Sequence, residues 1–183
     1  MKDPTELGTL RRLVADVAKA YKREPYEVIM DLGFELLDPL ENFGYHCTPV
    51  NSLAFGATGG DGIHLSLLNG EPRDGAVVLT TPTGDNPNSV VAETFSDFLR
   101  LGYFGGWGWL EELGYVTTPA TLQGKYAQDP KLAKPARRLL QELRSTFTLE
   151  PFQDVAAHFA RLQKYTESLR LPDPTEWAQK HGV

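Results

Sequence analysis

Ser52-Leu-Ala-Phe-Gly-Ala-Thr-Gly-Gly-Asp-Gly-Ile-His-Leu-Ser-Leu-Leu68 is the stretch on which the fold turns. Two short runs, 52–58 and 63–68, flank Gly59-Gly60-Asp61-Gly62, and the second alternates as Ile63, His64, Leu65, Ser66, Leu67. Alternation with a period of two marks a strand, and glycines supply the positive φ angles of a tight turn, so the spacing predicts a hairpin. Thr58 to Gly62 also has the look of a phosphate cradle. Such a cradle needs a helix after it, and usually a Lys-Ser or Lys-Thr step, whereas here a strand follows directly.

Outward from the hairpin the turns continue. Asn69-Gly70 precedes the β-rich Ala76-Val77-Val78-Leu79-Thr80, and Pro82-Thr83-Gly84-Asp85-Asn86-Pro87 precedes Ser89-Val90-Val91-Ala92. At least four strands in succession with no helix between them predict an antiparallel meander. Thr94 with Asp97 three residues on reads as a helix start, with Phe95, Phe98 and Leu99 on one face and Gly102 as its stop.

The flanks are helical. Asp3 and Glu6 around Pro4 mark a helix start, and Leu7, Leu10, Val14, Val17, Ala18 and Tyr21 make a stripe that Glu24-Pro25 closes. A short helical pattern follows at Tyr26, Ile29, Met30 and Gly33 and breaks at Asp38-Pro39. Glu111-Glu112-Leu113 suggests another short helix. Further on, Asp129-Pro130 opens a helix with Leu132, Leu139, Leu140 and Leu143, restarted or kinked at Pro135. Glu150-Pro151 opens one with Val155, Phe159, Leu162 and Leu169. Pro172 and Pro174 end the ordered pattern. The expectation is one α+β domain over residues 1–183, with a sheet core and following helix at 48–114 and a helical extension at 117–172.

Composition bounds the function. At 183 residues and 41% hydrophobic content the chain can bury roughly 70% of its unfolded surface without disulfides or a structural metal. Its single cysteine, Cys47, excludes an intrachain disulfide and thiol-cluster metal sites. With 18 basic against 24 acidic residues the net charge is −6, which argues against generic binding to nucleic acid or anionic membrane. No signal-like or spanning apolar run is present, so the chain reads as cytoplasmic.

Catalytic patterns are thin. Asp61 and His64 could pair as a metal or acid-base edge, yet nothing supplies a third ligand: His46 adjoins Cys47, His158 reads as lying on the polar side of a helix, and His181 as tail. Cys47 reads as a buried small hydrophobe, and no Gly-x-Ser-x-Gly elbow occurs. No catalytic residue, metal ligand or cofactor is therefore assigned. Trp107 and Trp109, beside Tyr103 and Phe104, either close a core or offer a contact surface. No Lys or Arg lies among residues 101–115 to complete a nucleic-acid site.

The segments 52–66 and 76–80, with Val90-Val-Ala-Glu-Thr-Phe-Ser-Asp-Phe-Leu99, resemble a divergent branch of the SUKH superfamily. That family includes a fungal cell-wall synthesis regulator and many bacterial immunity proteins. Gly60-Asp61-Gly62 and residues 92–99 match its turn and its strand-to-helix segment. The resemblance implies a non-enzymatic binding protein, commonly one that neutralises a toxin, the toxin often being a basic nuclease. A regulatory scaffold with a cellular client, or a small metal-dependent enzyme at Asp61 and His64, are the alternatives. Residues 48–116 carry Arg73 and Arg100 against eight acids, whereas residues 117–183 carry ten basic and seven acidic side chains. The expected partner surface is thus the acidic sheet turns, Asp61, Glu71, Asp74 and Asp85, with Trp107 and Trp109.

Overall fold

The computed structural model describes residues 5–115 and 118–182. Among these, α1 (Thr5–Tyr21) and α2 (Pro25–Met30) precede five strands: β1 (Glu35–Glu41), β2 (Ser52–Ala57), β3 (His64–Leu68), β4 (Val77–Thr80) and β5 (Asn88–Ala92). Then come α3 (Phe95–Leu101), a 3-10 helix (Gly108–Gly114), α4 (Pro119–Tyr126), α5 (Lys134–Phe147), α6 (Val155–Thr166) and α7 (Pro174–His181). The sheet order is β1-β2-β3-β4-β5 with every neighbouring pair antiparallel, so the fold is the α+β meander that the turns predict. The hairpin closes through Ile63 N–H to Gly60 O and Thr58 N–H to Ile63 O, each 3.1 Å. Part of the expected helix start, Asp3 and Pro4, lies outside the described residues.

Alternation sends the two sides of the sheet to different neighbours. Phe55, Leu65, Leu67, Val77, Leu79 and Val91 join the main core with α1, α2, α3 and α5. Phe34, Phe55, Phe98 and Trp107 interlock at its centre, their ring centroids 5.2–6.2 Å apart. The opposite side pairs Leu68, Ala76, Val78 and Val90 with Leu162 of α6. It also carries a polar row, His64, Thr80 and Asn88, in cross-strand register.

Four expectations are corrected. β1 is a fifth strand where the sequence shows only a break: it lies at the sheet edge, and its register jumps between Leu36 and Glu41 around Pro39. A bulged edge is where proline costs no ladder bond. The α5 and α6 starts fall later than their Asp-Pro and Glu-Pro signals, at Lys134 and Val155, the latter because the Asp154 carboxylate accepts from Ala157 N–H at 2.8 Å. The ordered pattern continues past Pro174, which opens α7 behind the Asp173 cap. His158 is buried instead of lying on a polar face, with Nε2–H donating to Val91 O at 2.8 Å.

Candidate interaction surface

A meander puts alternate turns at opposite ends of the sheet. Asp61, on the β2–β3 turn, and Asp85, on the β4–β5 turn, share one end, while Glu71 and Asp74 share the other with the β3–β4 turn. Strands of four to six residues at about 3.3 Å per residue separate those ends by roughly 15 Å. All four carboxylates are exposed, but they form no single surface. Asp74 also has a local task, accepting from Gly70 N–H at 2.8 Å to hold its own turn.

The Asp61 end is extended by residues that the sequence reading passed over. The 3-10 helix folds back across β4 and β5, and Gly114 O accepts from Asn86 N–H at 3.0 Å. This brings Glu111 to the Asp61 turn, with Glu112 next to it. Burial pushes the Glu111 carboxyl above its ordinary range, a hydrogen bond with Thr58 opposes that, and the charges of Asp61 and Glu112 add to the rise. Glu112 is relieved by Lys125, 2.7 Å away. Glu111 and Asp61 appear in none of the ion pairs among the described residues. Glu111-Glu112 is legible in the sequence as a helix signal only, because the fold-back depends on a tertiary contact.

The two tryptophans do not belong to this surface. Trp107 is 2% exposed and its indole N–H donates to Phe98 O at 2.8 Å, which corrects its place among the contact candidates. Its ring stacks on Phe98 at 5.3 Å. Trp109 is half-buried, donates to Leu101 O at 3.2 Å, and faces Tyr126 and Phe159.

The groups that could carry chemistry are engaged elsewhere. His64 is fully buried, with Nδ1 2.7 Å from Gly62 O and Nε2 3.3 Å from Thr48 Oγ1. A carbonyl can only accept, so Nδ1 holds the proton and Nε2 accepts from the Thr48 hydroxyl. Both nitrogens are used, and burial keeps the ring neutral by lowering its pKa. Asp61 is exposed on the turn at φ 51°, and His64 points into the packed face, so the expected Asp61 and His64 edge is not assembled. Cys47 is buried beside this face and burial pushes its thiol upward, the reverse of an activated nucleophile. Among the described residues no three His, Cys, Asp or Glu side chains converge to hold a metal, and no helix is long and apolar enough to cross a membrane.

Comparison with known proteins finds no matching family model, no matching curated protein and no matching solved structure, so the reading of this surface rests on its own geometry.

Proposed function

We propose that this chain is a non-enzymatic protein-binding domain that takes a basic protein partner at the sheet end carrying Asp61, Glu111 and Asp85. The observation that supports it is Glu111, a partly buried carboxylate crowded by Asp61 and Glu112. Like charges held together on a rigid turn and helix cost the free protein stability, and a partner's Lys or Arg side chains relieve that cost on binding. The resemblance of residues 52–99 to the SUKH superfamily supports the finer reading: an immunity protein whose partner is a basic toxin, blocked by being covered.

The test is association with the basic protein encoded beside this chain, measured by calorimetry at 50 and 300 mM salt. Saturable binding that weakens with salt, and at least tenfold more in an Asp61→Asn/Glu111→Gln double variant, is expected. Absence of binding at low salt, or binding indifferent to both carboxylates, counts against the reading.

A further inference from the structure

Residues 42–51, between β1 and β2, form a strap laid over the polar side of the sheet. On its inner side Phe43 and Tyr45 stack on the His64 ring at 4.6 and 5.9 Å, Cys47 O accepts from Asn88 Nδ2 at 2.8 Å, and Thr48 meets His64. Cys47, Thr48 and Pro49 are buried. Gly44 O, His46 and Val50 present themselves to the other side.

Those three are where α7 and the segment before it take hold. Trp177 Nε1–H donates to Gly44 O at 2.8 Å, its ring meets the edge of His46 at 5.6 Å, and Val50 N–H donates to Arg170 O at 2.9 Å. The hold points bracket Cys47 and Thr48. The remainder of the contact is open. A cavity of about 730 Å³ lies between strap and helix, with Tyr45, Pro49, Leu171 and Trp177 in its walls. α7 itself buries no residue, and Val50 and Leu171 stay about half exposed.

We infer that α7 is a latch and the strap a gate over the polar row of His64, Thr80 and Asn88. A helix with no fully buried residue is held mainly by a few specific contacts, so it detaches at far lower cost than the core unfolds. The cavity gives the freed strap a place to swing into without displacing packed side chains. Opening exposes to water the His64 and Asn88 side chains that the strap now covers. Tyr45 also lies against Gly62, next to Asp61, so the gate reaches the turn of the proposed partner surface. That last link rests on the function proposed above; the latch does not.

The single cysteine reports on the gate directly. Reaction of Cys47 with dithiobis(nitrobenzoate) is measured under native conditions in the full chain and in Trp177→Ala, alongside urea unfolding of both. The latch predicts a reaction about tenfold faster in Trp177→Ala with an unchanged unfolding midpoint. An increase under threefold overturns it, as does an increase fully accounted for by a loss of global stability. Val50→Pro removes the second hold without touching α7, and its expected effect is in the same direction. Failure of partner binding with a positive thiol result would reject the proposed function and leave the latch standing.

Discussion

Glu111 holds a carboxylate whose folded-state pKa lies above its unfolded value, chiefly because it is partly buried and then because Asp61 and Glu112 are near. Such a group binds its proton more tightly in the fold, so its ionised form opposes folding at neutral pH and that opposition fades as pH falls through the raised value. Glu111→Gln is therefore expected to raise stability at pH 7, by up to about 1 kcal/mol after allowance for solvent screening, in urea unfolding, while weakening partner binding. The two buried histidines act with the opposite sign. His64 and His158 have pKa values lowered by burial below the usual 6.5. Their neutral state favours the fold fully above pH 6.5, and the contribution is lost as pH falls toward the folded values, because the unfolded chain takes up protons first. Urea midpoints should drop between pH 7 and pH 5, and less so in His64→Gln. Trp107 is the residue on which the sequence reading divided. Its pattern, an aromatic cluster beside glycines, is the same for a core as for a contact patch, and only the fold shows the indole hydrogen bond inside. Trp107→Ala should cost about 3–5 kcal/mol.

At the scale of elements, α6 does more than cover a face. β5 ends the sheet, and its outward Val90 N–H donates to Thr166 Oγ1 at 2.9 Å while Val91 O accepts from His158 at 2.8 Å. Side chains of one helix thus close an edge that would otherwise offer a template for pairing with another chain. His158→Ala leaves a buried carbonyl unpaired and should cost about 1–3 kcal/mol, with a rise in concentration-dependent association by light scattering. Strands with flanking glycine turns were the most readable elements, because period-two alternation and turn chemistry are local. β1 was not, since Asp38-Pro39 breaks the local pattern and its pairing with β2 is maintained by only a few registered positions. The opposite ends of the acidic turns follow from the meander itself once the strands are named. The fold-back of the 3-10 helix does not, being set by contacts across β4 and β5.

At the scale of the molecule, α5 and α6 contribute buried side chains to the cores on the two sides of the sheet. Ala136, Leu139, Leu140 and Leu143 of α5 are buried with α1, and Val155 and Leu162 of α6 lie against the sheet. Arg100 Nε ties α3 to the C-terminal region by donating to Glu150 O at 2.9 Å, and within that region Phe152 N–H donates to Tyr126 Oη at 2.8 Å and Val155 N–H to the Gln123 side chain at 3.0 Å. The basic C-terminal helices therefore fold against the acidic sheet region that the sequence arithmetic separates from them. α7 differs, with no buried residue and its hold confined to the strap and the neighbouring backbone. Two truncations should part accordingly. Ending the chain after Pro172 removes α7 alone and is expected to move the thermal midpoint by no more than about 3 °C. Ending it after Ala133 strips five buried large or medium apolar side chains from the two cores, Leu139, Leu140, Leu143, Val155 and Leu162. At about 1.5–3 kcal/mol for each such side chain, that loss matches the whole stability of an ordinary domain. The shorter chain should lose its cooperative unfolding transition by circular dichroism. A folded, cooperative product ending at Ala133 would show that the sheet and N-terminal helices are a unit of their own, and the account in which α5 and α6 complete the cores would have to be given up.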